Sequence, residues 1–186
     1  MTEHDRLVTL LAQRSARRGH FVLSSGRTST LYIDARLTTM SPEGLATIGP
    51  LALDTLRTSG WNVRAVGGLT LGADPIAYAV SYASMLAGAP VRAFTVRKEA
   101  KAHGTGKVIE GPFESGDRVA IIEDVITTGA SALRAADAVR AAGGDIAGVL
   151  ALVAREEGGR EAIEAAGLPV IAMTTASEIL PLIPAM

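Results

Sequence analysis

The spacing of apolar and polar positions changes repeatedly along the chain between a helical period and short continuous apolar runs. The apolar runs predict strands at residues 63–66, 91–96, 119–122, 146–153 and 169–173. Between and around them the pattern predicts helices over residues 5–18, 42–58, 74–86, 130–141 and 159–166, with a short one near 176–180. Strands that alternate with helices are typical of an α/β fold, in which helices cover both faces of a parallel β-sheet.

The boundaries between these elements carry more specific signals. Two extended segments at residues 21–23 and 30–35 predict a hairpin before the sheet begins. Ser41 and Asp74 are each followed by proline, so both are expected to cap the helices that they precede. Residues 97–116 follow neither period and contain four glycines, and within them residues 99–110, which have little apolar content, are predicted to be mobile.

Composition narrows the class of protein. A chain of 186 residues favours one domain, and a net charge of −1 gives no overall basic field for nucleic acid. The absence of cysteine excludes disulfides and thiolate metal sites. The charged N-terminal residues are not followed by the apolar stretch of a signal peptide, and no apolar run is long enough to span a bilayer. We therefore expect a cytoplasmic protein with neither nucleic-acid nor membrane partners.

The clearest chemical signal follows the strand at 119–122. It reads Glu123-Asp124-Val125-Ile126-Thr127-Thr128-Gly129-Ala130-Ser131, two carboxylates and then small and hydroxyl residues before a helix. Ligands bind at the carboxyl ends of parallel strands, and a helix N-terminus attracts phosphate. The carboxylates would bind ribose hydroxyls or a Mg²⁺ ion held by the ligand. The segment thus predicts a ribose 5-phosphate site, the alternative being a capped strand–turn–helix with an incidental acidic pair.

Two further segments could bind a second anionic group. Three cations and a histidine follow the strand at 91–96, namely Arg97, Lys98, Lys101 and His103. Cations that close over a pyrophosphate would stabilise it as a leaving group, although an isolated basic run is usually a solvated loop. Residues 67–74 contain three glycines and could wrap a pyrophosphate with backbone donors, or form an ordinary strand–helix turn.

Residues 119–131 resemble the signature of type I phosphoribosyltransferases. Together with the basic segment and with residues 21–29, read as Phe-Val-Leu-Ser-Ser-Gly-Arg-x-Ser, they resemble the orotate phosphoribosyltransferase family over about residues 19–166. The resemblance implies transfer of ribose 5-phosphate from phosphoribosyl pyrophosphate to orotate, with Mg²⁺ carried by the substrate. It also implies a homodimer with shared active sites. One domain, 1–186, would carry a small hood formed by about 1–40 and the C-terminal segment.

The resemblance also assigns roles to individual residues. It implies catalytic roles for Lys98, Lys101, His103 and Asp124. Binding of phosphoribosyl pyrophosphate is implied for Arg97, Lys98, Lys101, His103, Glu123, Asp124, Val125, Ile126, Thr127, Thr128, Gly129, Ala130 and Ser131. For orotate it implies Thr127, Arg155 and Tyr32. The planar Arg155 guanidinium suits a carboxylate ligand, although a salt bridge with Glu156 or Glu157 explains it equally well. Tyr32 could instead serve packing alone.

Two departures from the family pattern qualify this transfer of roles. Many members carry lysines where Ser24 and Gly72 stand here. Two other functions stay open: a phosphoribosyltransferase for a purine, and a non-catalytic regulator that senses the sugar phosphate. The basic segment and Arg155 argue against the first, and the lack of a basic face or an added domain argues against the second.

Overall fold

A six-stranded sheet forms the centre of the molecule. The computed structural model describes residues 1–22, 28–99 and 107–184. Its strands are β1 (Ala16–Val22), β2 (Thr28–Ile33), β3 (Ala65–Leu69), β4 (Arg92–Val96), β5 (Ile109–Glu110), β6 (Arg118–Ile126), β7 (Asp145–Ala154) and β8 (Val170–Thr175). β1 and β2 form a separate antiparallel pair, and the other six are ordered β5-β4-β3-β6-β7-β8. β5 alone runs antiparallel to its neighbour, so the predicted α/β fold with a parallel sheet is confirmed.

Helices pack on both faces of this sheet. They are α1 (Glu3–Leu10), continued by a π-helical turn (Leu11–Ser15), α2 (Arg36–Thr39), α3 (Pro42–Thr58), α4 (Ala73–Leu86), α5 (Ala130–Ala141), α6 (Gly159–Ala165) and α7 (Ala176–Ile179), followed by a 3₁₀ turn (Leu180–Leu182). Side chains from α1, α3, α4 and α7 share one buried core, and those from α5 and α6 share another. Within the described residues, no helix has the length and apolar character needed to cross a membrane.

The central strands supply both cores because successive side chains point to opposite faces. In β6, Ala120 and Ile122 lie in the core beneath α3 and α4, whereas Val119 and Ile121 lie in the core beneath α5. All four are fully buried. A strand buried on both faces needs apolar residues at every position, which is why the sequence shows a continuous apolar run there.

Several element boundaries differ from the predicted ones, because pairing between distant segments decides them. The first helix ends at Ser15 rather than near 18, since residues 16–18 pair with β2. β6 continues to Ile126 instead of ending at 122, since its last residues pair with the end of β7. The acidic pair therefore lies inside a strand. The short strand β5 lies within 97–116, where no element was predicted.

The predicted end of β3 and the predicted cap of α4 were also wrong. Gly67 and Gly68 lie within β3, and a Cβ atom would come within 2.2 Å of the Phe94 carbonyl oxygen at the first position. Their smallness therefore serves close strand packing rather than a ligand loop. α4 begins at Ala73, and Asp74 lies in its first turn without capping it. At α3 the prediction holds, because Ser41 Oγ accepts a hydrogen bond from the Gly44 amide.

Candidate active site

A cleft opens at the carboxyl ends of β3, β6 and β7. Its volume of about 370 Å³ falls within the range typical of small-molecule sites. It is lined by Tyr32, Ile33, Asp34, Ala35, Arg36, Leu69, Thr70, Leu71, Gly72, Lys98, Glu123, Asp124, Val125, Thr127, Ser131 and Arg155. Eight of the residues proposed from the sequence thus line one cleft, although they come from separate parts of the chain.

The acidic pair is split between a buried and a more open position. Glu123 is 9% exposed, and its Oε2 has no hydrogen-bond partner among the residues that the structure describes. Burial raises the pKa of Glu123 to about 8, and the adjacent negative charge of Asp124 acts in the same direction. Asp124 is partly exposed, and its Oδ1 accepts a hydrogen bond of 2.9 Å from the Val125 amide. The pair therefore offers acceptor oxygens in two different electrostatic settings.

The turn after β6 leads directly into the N-terminus of α5. Gly129 adopts a φ of +80°, and a Cβ atom there would lie 2.7 Å from the Gly159 carbonyl oxygen, so glycine is required on both counts. Thr127 and Ser131 line the cleft, and Val125 lines it from within the strand. Four other predicted positions do not line it: Ile126 belongs to the core, Thr128 and Gly129 lie in the turn, and Ala130 begins α5. The unpaired amides of a helix start can still meet a phosphate there.

The turn between β3 and α4 forms the opposite wall of the cleft. Leu69, Thr70, Leu71 and Gly72 all line it. A Cβ atom at residue 72 would lie 2.6 Å from the Asp124 carboxylate, so the Asp124 side chain occupies the space that a larger residue would need. A lysine at this position, as in many family members, would therefore require the Asp124 side chain to move. At Ser24 no account follows, since residues 23–27 lie outside the described part of the chain.

The basic segment reaches the cleft through Lys98, which is exposed on its wall. The Lys98 carbonyl accepts a hydrogen bond from Arg134 of α5, which holds the backbone near that helix. Arg97 does not line the main cleft: it pairs with Glu110 at 3.6 Å and lines a neighbouring depression. Lys101 and His103 lie outside the described residues, as do all of residues 100–106 and with them most of the loop predicted to be mobile.

Arg155 and Tyr32 form the side of the cleft next to the hairpin. Arg155 follows the end of β7 and is only 7% exposed. Its Nη2 donates hydrogen bonds to Glu157 Oε1 at 2.6 Å and to Ser29 Oγ at 2.9 Å. The salt bridge predicted as one alternative is present, and Arg155 also lines the cleft, so its binding of orotate stays a prediction. Tyr32 both packs on Phe21, with ring centroids 5.3 Å apart, and lines the wall.

Four adjacent lining residues were not predicted from the sequence, namely Ile33, Asp34, Ala35 and Arg36. Arg36 binds both carboxylate oxygens of Asp34, at 2.8 and 3.0 Å. This hydrogen-bonded pairing lowers the pKa of Asp34. A signal was present, because an acid and a base two residues apart follow β2, the strand that carries Tyr32.

Comparison with known proteins decides the family. No family model matches the chain. It is 45% identical over 183 residues to the orotate phosphoribosyltransferase of Aquifex aeolicus, covering 97% of this chain and 99% of that protein. The chain belongs to the orotate phosphoribosyltransferase family. The crystal structure of a Mycobacterium tuberculosis family member in complex with Fe(III) dicitrate superimposes with a TM-score of 0.83 at 42% identity, covering 96% of this chain and 99% of that one.

A second structure of the Mycobacterium tuberculosis family member contains 5-phospho-α-D-ribosyl 1-diphosphate. It matches this chain with a TM-score of 0.76 at 36% identity, covering 95% of this chain and 91% of that one. The predicted family and its type I phosphoribosyltransferase fold are thus confirmed.

Proposed function

We propose that this chain transfers ribose 5-phosphate from phosphoribosyl pyrophosphate to orotate, releasing pyrophosphate and giving orotidine 5′-phosphate for pyrimidine synthesis. One observation carries the proposal. A single cleft brings together an acidic pair, the start of α5 and the buried guanidinium of Arg155. These are the groups that ribose hydroxyls, a phosphate and a planar carboxylate each require.

The phosphate end of the sugar fits the turn after β6. Backbone amides at the start of α5 and the hydroxyls of Thr127 and Ser131 would donate to the 5-phosphate. Asp124 and Glu123, at the end of the same strand, would accept from the ribose hydroxyls. The anomeric carbon would then lie between the wall formed by residues 69–72 and the wall that carries Arg155.

Catalysis in this arrangement rests on positioning and charge. We assign no side chain of the cleft the role of a nucleophile. Transfer would pass through an oxocarbenium-like transition state, in which positive charge on the sugar lies beside the Asp124 carboxylate. Lys98, and by family resemblance Lys101 and His103, would stabilise the departing pyrophosphate.

Magnesium fits this cleft as an ion that arrives with the substrate. Among the described residues no group of three potential metal ligands occurs, and the cleft offers Asp124 and the unpartnered Oε2 of Glu123. Mg²⁺ in such sites typically takes one or two carboxylates together with substrate phosphates and water. When bound, it would neutralise charge on the pyrophosphate. Asp124, which is the more exposed of the pair, is the residue that we expect to face it.

The choice of base would depend on Arg155. Orotate carries a carboxylate on a planar ring, and a guanidinium can bind a carboxylate with two parallel hydrogen bonds. Glu157 and Ser29 already accept the two hydrogens of Arg155 Nη2, so the side chain is oriented before substrate arrives, and a two-bond contact with orotate would displace one of these partners. Tyr32 would lie beside the base. The other open functions, a purine enzyme and a sugar-phosphate sensor, have no comparable support among the described residues of the cleft.

A turnover assay tests this function directly. Purified protein, phosphoribosyl pyrophosphate and Mg²⁺ are incubated with orotate, adenine, guanine, hypoxanthine or uracil in parallel, and pyrophosphate release is measured. Orotate alone should be consumed rapidly. Faster turnover of a purine would replace the proposal with the purine enzyme. If no base is consumed although phosphoribosyl pyrophosphate binds, the chain would be a sensor.

We further propose that two copies form a dimer with shared active sites. α3 and α4 expose an apolar groove of about 570 Å³, lined by Leu45, Ala46, Pro50, Tyr78, Ala79, Tyr82, Ala83 and Leu86. Tyr82 and Leu86 are 70% and 72% exposed, which is unusual for large apolar side chains on a free surface. Tyr78 also bonds to Thr95 of β4, the strand that leads into residues 100–106. If a second copy binds this groove, we expect the segment that follows β4 in one copy to serve the active site of the other copy.

Complementation tests the sharing of sites. Lys101→Ala and Asp124→Asn homodimers should each be weak, whereas mixing them after partial unfolding should restore activity. Half of the randomly formed dimers are hybrids with one intact site each, so about a quarter of all sites should recover. No recovery would mean that residue 101 acts in its own chain.

A charged residue introduced into the groove tests whether the groove is the dimer interface. Tyr82→Asp should produce monomers in sedimentation, whereas Leu182→Asp, at a 50% exposed residue outside the groove, should leave the dimer intact. A dimer that persists in Tyr82→Asp would place the interface elsewhere. The single domain with its N-terminal hood, the cytoplasmic location and the absence of nucleic-acid and membrane partners stay predictions.

A further inference from the structure

A buried carboxylate beside the cleft has no role in the mechanism above. Asp74 lies in the first turn of α4 and is 7% exposed. Its Oδ2 accepts a hydrogen bond of 2.7 Å from the Thr70 hydroxyl, and its Oδ1 accepts one of 2.8 Å from the Thr95 hydroxyl. Asp74 therefore joins the turn before α4 to the strand β4. Burial of a carboxylate is costly, so two such bonds are needed to hold it there.

The hydrogen bonds around Asp74 have a defined direction. A carboxylate only accepts hydrogen bonds, so Thr70 and Thr95 must each donate their single hydroxyl hydrogen to Asp74. Thr95 also bonds to the Tyr78 hydroxyl at 2.8 Å, and in that bond Tyr78 must be the donor. It follows that the Thr70 hydroxyl has no hydrogen left for a phosphate. Within the turn itself, an anion would therefore be bound by backbone amides, whose placement depends on how Thr70 is held.

The position of Thr70 makes this placement matter for the pyrophosphate. Thr70 lines the main cleft with Leu71 and Gly72, and it also lines the neighbouring depression with Arg97 and Lys98. Its amide donates to the Val96 carbonyl at 2.8 Å, so both its backbone and its side chain are tied to the sheet. The turn thus lies between the acidic pair and the basic segment.

We propose that Asp74 is a positioning residue, which holds Thr70 and thereby fixes the backbone of residues 70–72 for the pyrophosphate of the substrate. The inference rests on the proposed function only for the identity of that ligand. Asp74 does not touch the substrate in this proposal. It acts through Thr70 on the pyrophosphate side and leaves the base and the 5-phosphate sites unaffected.

Direct binding measurements separate this role from a general structural one. Asp74→Ala and Thr70→Val should each weaken binding of magnesium pyrophosphate about tenfold in calorimetry. Binding of orotidine 5′-phosphate, which lacks that group, should change less than twofold. In steady-state assays the KM for phosphoribosyl pyrophosphate should rise while the KM for orotate stays within twofold. Thr70→Ser, which keeps the hydroxyl, should restore binding.

Further variants guard against misfolding and unrelated effects. Thr47→Val removes a buried hydroxyl that donates a hydrogen bond of 2.8 Å to the Glu43 carbonyl in α3. It should therefore lower thermal stability without changing the affinity for magnesium pyrophosphate or for orotidine 5′-phosphate. The double variant Asp74→Ala/Thr70→Val should bind pyrophosphate no more weakly than either single variant, because each substitution breaks the same hydrogen bond between Thr70 and Asp74.

Three results would overturn the inference: additive losses in the double variant, equal weakening of both ligands, or tighter pyrophosphate binding by Asp74→Asn, which would mean that the carboxylate only repels the anion. Failure of the proposed function looks different. Wild-type protein would then bind magnesium pyrophosphate but neither orotidine 5′-phosphate nor orotate. The pyrophosphate measurements on the Asp74 variants would still decide the positioning role.

Discussion

Replacing Glu123 by glutamine should make the unliganded protein more stable at pH 8 and leave its stability at pH 5 nearly unchanged. Glu123 is almost fully buried beside Asp124, and its pKa is raised to about 8 from an ordinary value of 4.5. The folded protein therefore holds the Glu123 proton more tightly than the unfolded chain does. Glutamine has nearly the same shape and never ionises.

The sign and size of the effect follow from proton linkage. Below pH 4.5 both states are protonated at Glu123, and the wild type has its full stability from this group. Between about pH 4.5 and 8 the unfolded chain releases the proton and the folded chain keeps it, so the free energy of unfolding falls by about 1.4 kcal/mol per pH unit. From pH 5 to pH 8 this amounts to about 4 kcal/mol, a large share of the stability of an ordinary domain.

Urea unfolding at pH 5, 6, 7 and 8 measures this difference. The gap between Glu123→Gln and the wild type should open steadily as the pH rises. Asp124→Asn removes the neighbouring charge, so its loss of stability from Glu123 should end at a lower pH than in the wild type and be smaller in total. Glu161→Gln, at an exposed residue of α6, should follow the wild type at every pH. Equal stability of Glu123→Gln and wild type at pH 8 would refute the reasoning, because Glu123 would then be charged at no cost.

Three further predictions concern the substrates. Arg155→Lys keeps the charge and loses the planar fork, so in initial-rate assays it should raise the KM for orotate more than that for phosphoribosyl pyrophosphate; equal effects would make Arg155 a structural residue. Asp124→Asn should lower turnover at least tenfold, about 1.4 kcal/mol of transition-state stabilisation, with the circular dichroism spectrum unchanged. Lys98→Ala should lower kcat about tenfold, whereas Lys107→Ala, which lies outside the cleft, should not; similar losses would remove the assignment of Lys98.

The sequence was sufficient for the fold class because the strands buried on both faces leave continuous apolar runs. The sequence pattern did not predict the residue at which β6 ends. Glu123 and Asp124 are polar, so the apolar run stops before them, yet pairing with β7 carries the strand on to Ile126. Only the partner strand determines that boundary. The same cause explains the start of the hairpin, where pairing with β2 extends the first strand back to Ala16.

The residues of the site differ in how far local sequence reveals them. The turn before α5 was recognisable because its carboxylates, hydroxyls and glycine are contiguous. Arg155 was ambiguous from its neighbours alone. The structure shows its salt bridge with Glu157 and its place on the cleft wall, and its binding of orotate stays a prediction. Asp34 and Arg36 were missed because a short acid–base pair also occurs on ordinary surfaces. Their position in the cleft depends on how the hairpin packs.

Gly72 lies against the Asp124 carboxylate, and the lack of a side chain at residue 72 affects where the site carries positive charge. Residue 72 has no side chain, so that turn offers no cation to the cleft, and a larger residue there would require the Asp124 carboxylate to move. The anionic end of the substrate must then find its cations elsewhere. In the described chain Lys98 is the lysine on the wall of the cleft, and its segment continues toward Lys101 and His103. With backbone amides alone in the turn, placement of residues 70–72 becomes more important, which is where the bonds to Asp74 act.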